Sequence, residues 1–144
     1  MALVAVTDHV FPDLDQEHRL LTEAGHELRF GGNAASVEEV RDAVAGADAV
    51  LNCYAQMPAE VIRGLDRCVV IARYGIGLDT VDLDQATAQG ILVTNVPDYC
   101  INEVAEHTIG LIYALGRGIA GYHLATKNGQ YDLVAGLPAE RISG

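Results

Sequence analysis

Apolar runs of four or five residues alternate with longer amphipathic stretches through the first two thirds of the chain. Leu3-Val4-Ala5-Val6-Thr7 reads as a short buried strand, since a continuous apolar run of that length suits a strand covered on both faces. Residues 13–24 read as a helix with Leu14, Leu20 and Leu21 inward, closed by Gly25. The alternation then repeats. Residues 26–30 are strand-like, Ser36 and Glu39 have the spacing of a capping box that opens a second helix, and residues 49–53 form a third strand. Pro58 suits the first turn of a helix over 59–65, followed by a strand at 68–72, a helix at 83–89 and a strand at 91–94. Five strands alternating with short helices predict an α/β fold: a doubly wound parallel five-stranded sheet, most simply of flavodoxin-like strand order.

The pattern changes after Glu103. Residues 104–119 carry Ile109, Leu111, Ile112, Tyr113, Leu115 and Ile119 with no charge between His107 and Arg117, which predicts a long helix buried on most sides. Residues 121–144 have no sustained periodicity and read as loop or linker.

A sheet of this kind takes its ligands at the carboxyl ends of the strands. That rule puts Asp8-His9, Asn52-Cys53-Tyr54, Tyr74 to Gly77 and residues 95–100 along one rim, with Tyr54 and Tyr99 as candidate cleft walls. Gly75-Ile76-Gly77 follows an apolar strand, like the opening of a dinucleotide phosphate loop. Thr80 stands where the third glycine belongs, however, and the next strand ends at Thr94-Asn95 without the acidic residue that would hold a ribose. Two glycines one residue apart instead suit a loop whose unusual dihedrals would aim successive N–H groups at a carboxylate. The same spacing also fits an ordinary strand-to-helix turn.

Three segments taken together narrow the choice. Arg73-Tyr74-Gly75-Ile76-Gly77-Leu78-Asp79, Gly90-Ile91-Leu92-Val93-Thr94-Asn95-Val96-Pro97 and Val104-Ala105-Glu106-His107-Thr108 resemble the D-isomer-specific 2-hydroxyacid dehydrogenase family, the likeness running over residues 68–117. Tyr74 beside Gly75, with the run at 95–100, is most similar to the branch related to C-terminal binding proteins. The resemblance implies a substrate-binding domain at 1–100, an interdomain helix at 101–120 and an arm at 121–144. That arm would lead to an NAD-binding Rossmann domain absent from this chain, with Ser143-Gly144 where its first strand begins.

The resemblance further implies hydride transfer between a small 2-hydroxy or 2-keto carboxylate and NAD or NADP. Tyr54, Tyr74, Gly75, Ile76 and Gly77 would bind substrate, and Ile76, Val104 and Thr108 would approach the cofactor. The family's catalytic arginine, acidic residue and histidine find no matching motif. Arg73 belongs to the loop motif and His107 to the helix, so the chain is expected to hold no catalytic residue and to be inactive alone. Cys100 stands in place of the asparagine that formate dehydrogenases carry, which speaks against formate as substrate.

Composition trims the remaining readings. Half of the 144 residues are apolar and 20% are charged, which speaks against disorder. Nine basic against twenty acidic residues leave a net charge of −11, negative in both halves, so nucleic acid is not an expected partner. No apolar run approaches the roughly 20 residues of a membrane span and the N-terminus lacks a signal peptide's basic flank, which reads as cytoplasmic with no membrane partner. Cys53, Cys68 and Cys100 form no C-x-x-C pair, and the five histidines share no ligand spacing, so neither disulfide nor metal is expected.

Two other classes stay in view: a cofactor-gated corepressor-like scaffold that holds a peptide at Tyr54 and Tyr74, and a signalling receiver domain. The latter needs an aspartate where Asn52-Cys53-Tyr54 ends the third strand. The apolar helix predicts a homo-oligomer.

Overall fold

Val, Ile, Leu and Ala dominate five strands too short to be stable alone, and helices bury them in the first part of the molecule. The computed structural model describes residues 1–136 and 141–142. They fall into two units, Met1–Pro97 and Asp98–Gly144.

In the first unit β1 (Leu3–Val6), α1 (Asp15–Glu23), β2 (Glu27–Arg29), α2 (Val37–Val44), β3 (Ala49–Asn52), α3 (Ala59–Ile62), β4 (Val70–Arg73), α4 (Leu83–Ala88) and β5 (Leu92–Thr94) alternate. Every pairing is parallel and the order is β2-β1-β3-β4-β5, the flavodoxin-like order that the sequence predicts. Register sets the faces, since side chains alternate along a strand. Val50 lies opposite Ile71, and Ile71 opposite Val93. Together with Ala5 these residues meet Val40 and Val44 of α2, Val61 and Ile62 of α3, and Met57, Ala86 and Ile91 in the main core.

The other face is thinner. Val4 and Val6 are buried there, while Val70 and Ala72 are half-buried and Leu92 is 62% exposed. Right-handed crossovers put α1 on this side, away from α2 to α4. The expectation that Leu20 faces inward does not hold: it is 49% exposed, with Leu14 and Leu21 half-buried. Helix α1 packs chiefly on the three-residue edge strand β2, so its apolar stripe overhangs the sheet.

Local signals set the helix ends. The Ser36 hydroxyl accepts from the Glu39 N–H at 3.2 Å, and the Glu39 carboxylate accepts from the Ala35 and Ser36 N–H groups at 2.7 and 3.3 Å, which completes the capping box of α2. Asp82 caps α4 by accepting from the Gln85 N–H at 2.9 Å. Pro58 precedes α3, which stops at Ile62 rather than running on to residue 65.

The second unit departs from expectation in two ways. Its long helix α5 spans Ile101–Gly116, and none of its residues is buried within the unit. Leu115 is 78% exposed, so burial on most sides is not found here. A further helix α6, Ile119–Lys127, occupies part of the stretch expected to be linker. Between them Gly118 takes a left-handed φ of +61°, which ends the first helix and aims the second. A Cβ at Gly121 would stand 2.1 Å from the Ala135 carbonyl oxygen, so glycine lets α6 press against the 135–136 backbone. The strand start expected at Ser143-Gly144 lies outside the described residues. Among the described residues no helix is long and apolar enough to cross a membrane.

Substitutions should separate these layers. Ile71→Ala, at a fully buried position, is expected to cost about 2–5 kcal/mol of unfolding free energy. Ser36→Ala should cost about 1 kcal/mol through the lost cap, and Leu20→Ala less than about 0.5 kcal/mol. Urea unfolding of the three variants gives the ranking directly.

Candidate functional site

The buried polar side chains among the described residues of the first unit are Thr7, Asp8, Asn52 and Arg73, and all four stand at the carboxyl ends of β1, β3 and β4. They form one row with Thr80. The Arg73 guanidinium donates to the Thr80 hydroxyl. Thr80 in turn donates to Asn52 Oδ1 at 3.4 Å, Asn52 Nδ2 donates to the Thr7 hydroxyl at 3.0 Å, and Thr7 donates to Asp8 Oδ1 at 2.7 Å. A cation stands at one end and a carboxylate at the other. Asp8 also accepts from the N–H groups of Cys53 and Tyr54, at 3.1 and 2.7 Å, which pins the loop after β3.

The loop after β4 is held by its carbonyl groups. The Val96 N–H donates to the Gly75 oxygen at 3.0 Å and Asn95 Nδ2 to the Ile76 oxygen at 2.8 Å. The backbone then folds back so that the Met57 N–H reaches the Thr80 oxygen at 2.7 Å, which fixes Thr80 in the polar row. None of the Gly75, Ile76 and Gly77 N–H groups finds an acceptor among the described residues. These three donors on one loop at the rim can serve an anion.

The glycines of this loop differ from what the sequence suggests. Neither Gly75 nor Gly77 has a positive φ, so unusual dihedrals are not what the loop uses. Each instead faces the end of a nearby side chain. A Cβ at Gly75 would stand 3.2 Å from the Arg73 guanidinium, and one at Gly77 would stand 2.7 Å from the Asp79 carboxylate.

An aromatic row runs along the same rim. Phe30 meets His9 edge-on at 4.8 Å between centroids, His9 stacks with Phe11 at 6.4 Å, and Phe11 meets Tyr74 edge-on at 5.2 Å. Phe11 and Tyr74, with Asp13 and Glu17, line a cavity of about 350 Å³ beside the β4 loop. A second cavity of about 310 Å³ lies where β1 and β3 diverge, lined in part by Asp8, His9, Ser36 and Tyr54.

Ionisation follows from these surroundings. Burial alone would raise the Asp8 carboxyl, but hydrogen bonds from the Tyr54 N–H, the Thr7 hydroxyl and the Cys53 N–H outweigh it and hold the group below its ordinary value. Burial lifts the Tyr74 phenol, and the Glu17 carboxylate adds to the effect. The Cys53 thiol is pushed up by burial and by Asp8, so at neutral pH it stays protonated and is no nucleophile. No group of three or more acidic, histidine or cysteine residues able to hold a metal occurs among the described residues.

The structure brings Tyr54, Tyr74, Gly75, Ile76 and Gly77 to the rim of one sheet, though in different settings. Tyr54 is 66% exposed, Tyr74 is half-buried under Phe11, and Ile76 is 42% exposed between the two glycines. Val104 and Thr108 stand one turn apart on α5 in the other unit, where the Thr108 hydroxyl donates to the Val104 oxygen at 2.7 Å.

A family model described as D-isomer specific 2-hydroxyacid dehydrogenase, catalytic domain, matches residues 4–137. The chain belongs to that family. It is 33% identical over 134 residues to a D-3-phosphoglycerate dehydrogenase of Methanocaldococcus jannaschii, an alignment that covers 92% of this chain and 24% of that protein. Against a glycerate dehydrogenase of Methylorubrum extorquens it is 33% identical over 107 residues, covering 74% of this chain and 34% of that one. Among solved structures, the NAD+-bound 3-phosphoglycerate dehydrogenase of Entamoeba histolytica superposes with a TM-score of 0.71 at 25% identity, over 81% of this chain and 40% of the other. The chain thus matches between 24% and 40% of the length of these relatives.

What sequence reasoning missed in this family member is the polar row itself. Thr7, Asn52 and Thr80 are unremarkable singly, and only strand order makes them neighbours.

Acid should expose the contribution of Asp8. Its folded pKa lies below the unfolded value of about 3.9, so the stabilisation is present above that pH and is lost as pH falls through the folded value. Asp48, lowered by the Leu3 N–H and by Arg67, acts in the same direction. Asp8→Asn is therefore expected to flatten, without abolishing, the loss of stability as pH falls below about 4. Urea midpoints of both proteins across that range are the measurement.

Proposed function

We propose that this chain is the substrate-binding part of an NAD(P)-dependent D-2-hydroxyacid dehydrogenase, and that the Gly75, Ile76 and Gly77 amides anchor the substrate carboxylate. The observation that carries this reading is the set of three unpaired N–H groups on a loop held by its carbonyl oxygens, with the Arg73 guanidinium beneath Gly75. Backbone donors fixed before the ligand arrives need little reorganisation to bind it. Family membership supports the reaction class, since the relatives above are named as dehydrogenases of glycerate and of phosphoglycerate.

Nicotinamide, when bound, takes or supplies the hydride. The residues proposed to approach it belong to different units. In the first, Ile76 offers an exposed apolar side chain on the β4 loop; in the second, Val104 offers one on α5, and the Thr108 hydroxyl, its hydrogen engaged, retains lone pairs as acceptors. A phosphate loop for the dinucleotide is not offered, because Thr80 stands at the third glycine position and serves the polar row. Tyr74 and Phe11 line the cavity at the loop's flank, and Tyr54 borders the neighbouring opening. No residue matches the family's catalytic arginine, acid and histidine motifs, so moving the hydroxyl proton is not a task of this chain. Domain limits of 1–100, 101–120 and 121–144 go with the proposal.

Amide resonance shifts on adding D-glycerate test the anchor. Shifts are expected at Gly75 to Gly77, and Gly77→Ala, whose methyl would meet Asp79, should weaken binding at least about tenfold, or about 1.4 kcal/mol. The chain alone should show no NADH-dependent reduction of 2-keto acids, and sustained turnover would refute that part of the reading. Self-association through α5 belongs to the same proposal, since Ile109, Ile112 and Leu115 are each more than half exposed. Sedimentation at high concentration should reveal dimers or larger species, and a monodisperse monomer would rule them out.

A further inference from the structure

We infer that the β4 loop selects a 2-hydroxy or 2-keto monocarboxylate bearing no phosphoryl group. This rests on reading the loop as a carboxylate anchor and goes further by naming the class of substrate it rejects. The argument is a census of charge around that anchor. Residues of the first unit include six arginines and no lysine, against fifteen acidic residues.

Five of the six arginines are committed away from the loop or lie off the rim. Arg29 donates to the Ala43 and Ala45 carbonyl oxygens where α2 ends, Arg63 to Gln85, and Arg67 to Asp48. Arg19 pairs with Glu23 within α1, and Arg41 stands in the last turn of α2, at the opposite end from its rim-side cap. Only Arg73 is beside the anchor, and it is buried, with one nitrogen spent on Thr80. Its single positive charge suits a single carboxylate.

The other Asp, Glu, Lys and Arg side chains close by are all acidic. The Asp79 carboxylate lies under Gly77, where a Cβ would come within 2.7 Å of it, and Asp8 closes the polar row. A substituent that leaves the anchored carboxylate on the Tyr74 side enters the cavity lined by Phe11, Asp13, Glu17 and Tyr74, where two more carboxylates meet it. On the β3 side stands the cavity of Asp8, His9 and Tyr54, and the N–H groups after β3 already donate to Asp8. A phosphoryl group adds about −1.5 to −2 charges at neutral pH and needs donors or cations to replace its water. Neither cavity is lined by an arginine or a lysine: Gln16 and Tyr74 on one side, and His9, Asn33, Ser36 and Gln56 on the other, offer hydrogen bonds but no fixed positive charge to set against the phosphoryl group.

D-glycerate and 3-phospho-D-glycerate, which differ only in the phosphoryl group, make the test. Both are titrated into the 144-residue chain at low ionic strength, and amide shifts at Gly75 to Gly77 are followed. The phosphorylated ligand is expected to bind at least about tenfold more weakly, with the gap narrowing as salt screens the repulsion. Asp79→Asn should narrow the gap as well. Equal or tighter binding of the phosphorylated ligand overturns the inference while leaving the anchor standing. A gap that neither salt nor Asp79→Asn alters overturns the electrostatic account. Absence of shifts with both ligands overturns the anchor, and this inference with it.

Discussion

The polar row from Arg73 to Asp8 is the constraint around which the ligand-facing end of the sheet is arranged. Two opposite charges are taken out of water, and three uncharged side chains join them, each donating in the same direction. Such a row is stable only when every member is present, because the low local dielectric that strengthens each bond also makes any unpaired member costly. Asn52 is the centre of it. Its amide has one oxygen and two hydrogens to place, and Thr80, Thr7 and the Ala55 carbonyl take all three.

Because the row crosses β4, β3 and β1, it converts sheet register into loop geometry. Parallel pairing of Asn52 with Arg73 sets the two side chains at the same height, and the Tyr74 N–H bond to the Asn52 oxygen extends that pairing one residue past the strand. The loops that follow are then tied down at opposite groups. After β3 the N–H groups are consumed by Asp8, whereas after β4 the carbonyl groups are consumed by Val96 and Asn95. One loop is left satisfied and the other is left with donors to offer. This asymmetry, more than the glycines as such, distinguishes the β4 loop from its neighbour.

Much of the fold was legible because short apolar runs and capping residues act locally. The five strands and the capping box at Ser36 and Glu39 were readable, and parallel alternation restricts the strand order to few choices. Errors arose where a neighbour decides. Leu20 has the spacing of an inward residue, but β2 is too short to cover it. Helix α6 was unreadable because Gly118 and Gly121 count as breakers locally, while in the fold they admit the 135–136 backbone. At the candidate site, the unusual dihedrals expected of Gly75 and Gly77 are not found: their φ values are ordinary, and their hydrogen side chains lie close to Arg73 and Asp79. Asp8, Asn52 and Thr80 lie up to 72 positions apart in sequence, and no local pattern links them.

The capping box of α2 and the Asp8 carboxylate have a joint consequence. Doubly wound sheets of this order ordinarily receive an anionic ligand where β1 and β3 part, with help from a nearby helix N-terminus. Here Glu39 occupies the Ala35 and Ser36 N–H groups just before α2, Ser36 occupies that of Glu39, and Asp8 occupies those that follow β3. The protein thus carries two carboxylates in the role of a permanently bound guest. In an architecture widely used for nucleotide and phosphate capture, part of the customary doorway is filled from within, while the loop one strand along, after β4, keeps its N–H groups unspent.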